Sequence, residues 1–347
     1  MINVETNKWS KLDRDIRHYP PTTYIEGPVG EIISTDRKTL FSVPNNIIEY
    51  TVPSGIERIL DGAFAECYYL KKIIFPLTLK VLGDDVFLKC PNLIVLNLPL
   101  SLDYFGPHCF RGSSISYIRF LPQEDGNTKP TLFFHNSGLY SKESELLAIL
   151  PIASVFIIEP FVKKIRKNVF SGMHYLTEVV FPSNIEDEIN FLHEGMFKGC
   201  RNLRTIRNLE WVREIPKETF MGCDLFELPK LPNVKKIGDY AFFNSNLCFL
   251  KIPENIEYIG EHSFAYCKFK HITIPMNVIG LGRWAFSYCF ELNNATILGD
   301  STKIGTVVFN YCTNLQEVFI SSKLKLPNKS LGYGLNSDLK ITTVVKN

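Results

Sequence analysis

The sequence predicts a solenoid of short stacked turns: a right-handed superhelix with a long parallel β-sheet on the inner face and short turns, 3-10 or β segments on the convex face. Two observations carry this expectation. Ten phenylalanines fall in one phase, Phe64, Phe87, Phe110, Phe170, Phe197, Phe220, Phe242, Phe264, Phe286 and Phe309, with spacings of 23, 23, 60, 27, 23, 22, 22, 22 and 23. A short apolar pattern recurs in step with them, as in Leu70-x-x-Ile73-x-Phe75-Pro76, Leu93-x-x-Leu96-x-Leu98-Pro99 and Leu247-x-x-Leu250-x-Ile252-Pro253. A turn of about 23 residues cannot bury its own apolar face, but stacked turns bury one continuous core.

Each element follows in chain order. Residues 1–32 break the phase and are expected to cap the first turn, as terminal repeats must for solubility. Residues 33–326 form the solenoid, in blocks 33–120 and 139–326 joined by a polar, turn-rich loop at 121–138. Both blocks open alike, Ile33-Ser34-Thr35-Asp36 matching Leu139-Tyr140-Ser141-Lys142. Residues 327–347 leave the phase and are expected to cap the far end. Within a turn, the alternation in L-x-L is that of a strand with one face inward. The following Pro ends regular pairing. A Gly stands four residues before the Phe in six repeats, Gly83, Gly106, Gly238, Gly260, Gly282 and Gly305, and suits a tight corner with positive φ. A Cys stands three residues after it in seven, Cys67, Cys90, Cys200, Cys223, Cys267, Cys289 and Cys312. About thirteen strands at roughly 4.8 Å spacing give a sheet roughly 60 Å long.

The repeat is a leucine-rich one in period and in its L-x-x-L-x-L core, but Pro replaces the usual Asn after the strand, and Phe-x-x-Cys-x-x-Leu precedes it. Units such as Ile259-Gly260-x-x-Ser263-Phe264-x-x-Cys267-x-Phe269-x-x-Ile272-x-Ile274-Pro275 resemble the BspA-like (Treponema-type) leucine-rich repeat, over about residues 40–325. The resemblance implies a hairpin-like variant turn at the start of each block. It also implies adhesion, with a host or extracellular-matrix protein as the partner, at a microbial cell surface. The alternative is an intracellular scaffold or recognition module for a partner enzyme. The N-terminus shows no apolar leader and the chain no anchor, so the chain as written reads as cytoplasmic; an export segment would make it secreted or surface-displayed.

The composition points away from several functions. Net charge is 38 − 36 = +2, too even for a protein that coats a polyanion. The longest nearly apolar run, Leu146–Ile158, is broken by Pro151 and is short of the roughly 20 residues a membrane span needs. Nine cysteines contain no C-x-x-C pair, and no His cluster has zinc spacing, so no metal and no cofactor are expected. Seven of the nine share one core position, which makes them buried thiols; stacked neighbours such as Cys67 and Cys90 come within range of a disulfide as the lesser alternative. Gly280-x-Gly282-x-x-Ala285 mimics a dinucleotide fingerprint but lies in the Gly and Phe phase with no βαβ unit around it. No Ser/His/Asp or Cys/His set recurs in strand register, so no catalysis is expected.

What remains is the outward face of the strands. In each L-x-x-L-x-L, the residues on either side of the middle core position point away from the core. They vary from turn to turn while the core positions repeat. The candidate partner-binding residues on this face are Lys72, Tyr117, Arg119, Arg207, Phe249, Lys251, His271 and Phe319. Aromatic and Arg side chains dominate protein interfaces, so this face is read as a protein-binding surface of a monomer. Phe249 and Lys251, with His271 and Thr273 one strand further on, are its expected centre.

Overall fold

The computed structural model describes residues 24–121, 132–183 and 191–344. Among these there is no helix; regular structure is all strand, in segments of two to five residues. The chain forms two compact units, Met1–Ala153 with Phe161–Val169, and Ser154–Pro160 with Phe170–Asn347. Each is a β-solenoid of stacked turns.

Each unit carries two rows of strands rather than one long sheet. In the first unit, the L-x-L row consists of two parallel pairs, Glu49–Thr51 with Lys72–Ile74 and Val95–Pro99 with Tyr117–Leu121. The second row runs through the residues just before the Gly, Thr39–Ser42, Arg58–Ile59, Val81–Leu82 and Tyr104–Phe105, all parallel and in register. In the second unit, the L-x-L row splits into Val155–Ile157, Glu178–Val180 and Thr205–Arg207, and then His271–Ile274, Asn294–Ile297, Glu317–Ser321 and Lys340–Val344. Its other row is continuous, Glu214–Ile215, Lys236–Ile237, Tyr258–Ile259, Gly280–Leu281 and Lys303–Ile304. Between the two L-x-L sheets there is only an isolated bridge, Glu227 to Phe249. For the lost pairing between Thr205–Arg207 and residues 227–229, the reason is Pro229. It occupies the outward position held by Arg207 one turn earlier, and it has no N–H to give to a ladder.

The two block openings are hairpins. Ile32–Ser34 pairs antiparallel with Thr39–Ser42, and Gly138–Ser141 with Glu145–Ile149. Each turn is closed by a serine. Ser34 Oγ accepts from the backbone N–H of Lys38 and Thr39, and Ser141 Oγ from those of Glu143 and Glu145. The segment expected as a loop at 121–138 lies outside the described residues at 122–131. Its last part is a strand, Leu132–His135, antiparallel to Gly138–Ser141. Leu132 is buried and the Phe133 ring stacks on Tyr140 at 5.4 Å, so burial outweighs the polar composition before it. At the other end, Lys340–Val344 continues the ladder beyond Glu317–Ser321 rather than departing from it. Tyr24–Glu26 adds an antiparallel strand to the first hairpin.

All ten in-phase phenylalanines are buried. Successive rings lie one on another, as for Phe242 and Phe264 at 5.3 Å and Phe264 and Phe286 at 5.5 Å, with ring planes within 3°. The Cys position has a specific task. Its Sγ donates to the carbonyl of the Phe one turn earlier, Cys90 to Phe64 at 3.0 Å, Cys223 to Phe197 and Cys312 to Phe286 at 3.1 Å. Where Ser245 stands instead, its hydroxyl donates to Phe220 O at 2.8 Å. The position therefore needs a small donor, and the nine cysteines are all free thiols; no disulfide links stacked neighbours. Burial pushes the Cys200 thiol up to about 12 and raises Cys223, Cys267 and Cys289 as well.

The Gly ladder has a different cause from the one its sequence suggests. Gly83, Gly106, Gly238, Gly260, Gly282 and Gly305 do not have positive φ. They are required by close approach between turns. A Cβ on Gly282 would stand 2.5 Å from the backbone N of Glu261.

Candidate protein interface

The L-x-L strands alternate in burial as their sequence demands. Lys72–Ile74 reads exposed, buried, exposed, and His271–Ile274 exposed, buried, exposed, buried. The eight candidate residues accordingly project outward, but the two units hold different subsets: Lys72, Tyr117 and Arg119 in the first, Arg207, Phe249, Lys251, His271 and Phe319 in the second.

Several are already engaged on their own ladder. Lys72 lies directly across from Glu49, with Nζ 4.0 Å from its carboxylate, and Arg207 pairs with Glu178 on the neighbouring strand. Phe319 stands in register between Thr296 and Thr342 and is only half-exposed. The remaining residues form two concavities. In the first unit, Tyr117 and Arg119 line a groove of about 600 Å³ with Phe133. In the second, Lys251, His271 and Thr273 flank a hollow of about 380 Å³ whose floor includes Leu250 and Ile252. The strand pairing expected between 249–251 and 271–273 does not form, and the hollow lies where that ladder is missing.

Phe249 is 64% exposed, and its ring packs edge-on against Phe226 at 5.1 Å; Phe226 is itself 51% exposed. The sequence pattern did not single out Phe226, because it sits one residue outside the L-x-L alternation. The pair forms an exposed aromatic knuckle at the interrupted part of the sheet. A residue that large is left in water at a loss of roughly 1.5–3 kcal/mol of burial, so a free aromatic pair is the most informative feature of the face.

A second aromatic group lies on the turns that carry the Phe ladder and was also missed. Two residues before the Phe, Tyr240, His262 and Trp284 stack in a column with centroids 4.7 Å apart at both steps. Two residues after it, Tyr266, Tyr288 and Tyr311 stack at 4.6 and 5.1 Å. The signal available was their spacing, 22 and 23 residues in the Phe phase. Among the described residues, Asp84, Asp85 and His108 are the one grouping with metal-ligand types close together. Its members are held by one another and by Arg111, while His108 Nε2 is buried without a hydrogen-bond partner. Asp84 accepts from the His108 backbone and faces its ring, while Arg111 clasps Asp85 through two hydrogen bonds.

Comparison with known proteins agrees with the architecture. A family model described as BspA type leucine rich repeat region matches residues 37–143, 132–227 and 235–344. No curated protein matches the sequence. Among solved structures, a leucine-rich cell surface protein from Faecalibacterium prausnitzii is 17% identical, covering 93% of this chain and 95% of its own, with a TM-score of 0.41. The pneumococcal vaccine antigen PcpA is 16% identical over 86% of this chain and 68% of its own, with a TM-score of 0.35. A Treponema pallidum leucine-rich-repeat protein is 21% identical over 64% and 86%, with a TM-score of 0.31.

Proposed function

The chain belongs to the BspA-type leucine-rich-repeat family, and from that premise we propose that it is a non-catalytic protein-interaction module whose outward strand face binds a partner protein. One observation carries the reading: Phe249 and Phe226 form an exposed aromatic pair beside the hollow flanked by Lys251 and His271. An aromatic anchor next to a recess with a cation and a hydrogen-bonding ring has the composition of a binding hot spot. Leu225, Leu250 and Ile252 beneath it are buried core.

The chain acts as an adhesin, and its partner is a host or extracellular-matrix protein rather than a polyanion, since the face carries isolated charges of both signs. The test is capture from extracellular-matrix proteins and from lysate, followed by titration of the captured partner. Phe249→Ala weakens binding by about 1–3 kcal/mol and leaves the melting temperature nearly unchanged. Tyr117→Ala tests the face of the first unit in the same way. Lys89→Ala, on the turn side, is the control and loses a surface ion pair with Glu66. Binding that suffers in Lys89→Ala and not in Phe249→Ala moves the function off the strand face. Binding only from lysate, with no matrix protein retained, replaces the adhesin partner by an intracellular one.

A further inference from the structure

The aromatic columns of the second unit occupy positions that other turns fill with glycine or with a polar residue, such as Glu66, Lys89 and Asn244 two after the Phe and Asp85, Asn168 and Glu218 two before it, all of them left-handed. Two residues after the Phe the backbone is left-handed, and Gly112, Gly172, Gly199 and Gly222 take that conformation at φ of 67 to 74°. Tyr266, Tyr288 and Tyr311 take it at 57 to 62°. Two residues before the Phe, Gly62 and Gly195 are matched by Tyr240, His262 and Trp284 at 52 to 57°. Left-handed backbone at both positions therefore belongs to the turn and not to these rings. The turn itself does not need the rings, because the same turn closes with glycine.

At the head of one column stands Arg283. Its guanidinium lies over the Trp284 ring at 3.6 Å from the centroid. The side chain is exposed and makes no ion pair or hydrogen bond among the described residues. At the same position of another turn, Lys217 is paired with Glu194. Glu261, one turn before Arg283, faces His262 at 3.9 Å instead. A stacked guanidinium keeps its plane fixed and its outer N–H donors free, which is the arrangement that receives a carboxylate in two parallel hydrogen bonds.

We propose that this corner of the second unit is a second interaction surface, separate from the strand face, which takes an extended protein segment carrying one acidic side chain between apolar residues. The carboxylate docks on Arg283, and the flanking apolar groups lie against Trp284 and the tyrosine column. A nucleic acid is disfavoured, because the positions equivalent to Arg283 in the adjoining turns are Glu261 and Thr306, so no row of cations tracks a phosphate backbone.

The probe is a synthetic peptide, Gly-Pro-Leu-Glu-Pro-Leu-Gly blocked at both ends, with its glutamine twin, titrated into the full chain while the Trp284 indole resonance is followed by NMR. The glutamate peptide is expected to shift that resonance and to bind about tenfold more tightly than the glutamine twin. Arg283→Ala and Arg283→Lys both remove the tenfold difference, since lysine keeps the charge but loses the planar fork. Both variants keep the wild-type melting temperature, because the side chain is exposed. Equal affinity for the two peptides overturns the proposal, as does no shift at millimolar peptide. Arg283-dependent binding of a thymidine oligonucleotide in place of the peptide overturns it in favour of a nucleic-acid site. The probe does not touch the strand face, so failure here leaves the Phe249 measurement as it stands.

Discussion

Phe264 shows what a single residue contributes. Its ring is fully buried between Phe242 and Phe286, parallel to both. Phe→Ala in such a core typically costs about 3–5 kcal/mol, through lost transfer energy and the cavity left behind. Phe264→Ala is expected to destabilise the chain by at least about 2 kcal/mol, while exposed Lys251→Ala changes it by under about 0.5. Denaturant midpoints of the two variants decide, and equal midpoints would refute the ladder. His262 gives a second expectation at this scale. Burial between Tyr240 and Trp284, with Arg283 nearby, lowers its pKa, and Glu261 only partly opposes this. The unfolded chain protonates near the ordinary value of 6.5, before the folded chain does. Stability is therefore intact above that value and is lost as pH falls below it toward the folded pKa. Melting temperatures between about pH 7 and about pH 5 should fall more steeply for the wild type than for His262→Phe. Parallel curves would show that His262 titrates normally.

At the scale of the strand, one proline removes part of the ladder. The apolar pattern through 225–231 and 247–252 looks like that of every other turn, and on that pattern a continuous sheet is expected. Pro229 stands at an outward position, where it changes no hydrophobic spacing but removes a ladder donor. Core periodicity was legible because stacking forces the same residue type into the same place. Backbone pairing was less so, because it depends on a donor that a pattern of side chains does not display. The aromatic columns were hidden for a related reason: their positions hold Gly, Glu, Lys or Asn in other turns, so no repeat consensus marks them. The candidate face was read correctly as outward, but pattern alone could not show that Glu49 and Glu178 occupy Lys72 and Arg207. The break has a dynamic consequence. Amides that lack ladder partners open at lower free energy than those in paired strands. Cys248 and Phe249 still donate to Phe226 O, but hydrogen exchange at 227 and 250–251 should be faster than at 272–273, 295–296 and 318–319. Uniform protection along the row would mean that the ladder is continuous there after all.

For the whole molecule, the governing fact is that each turn touches chiefly the turns before and after it. In such a one-dimensional stack, stability is a sum of turn terms and neighbour terms, and damage stays near its source. The buried thiols report this locally. Cys67, Cys90 and Cys109 belong to the first unit, and Cys200, Cys223, Cys248, Cys267, Cys289 and Cys312 to the second. In the native chain only Cys248 is partly exposed, so it alone should react quickly with a thiol reagent, and all nine should react after unfolding. The raised pKa values of the buried thiols slow the others further, since the thiolate is the reactive form. Denaturant can then be raised stepwise and the labelled cysteines identified by mass. Phe264→Ala removes a neighbour contact from the turns that hold Cys267 and Cys289, so their labelling midpoints should drop most. Those of Cys67 and Cys90, which belong to the other unit, should barely move. An equal shift at every cysteine would mean that the chain unfolds as a single cooperative block and that turn-by-turn additivity does not describe it.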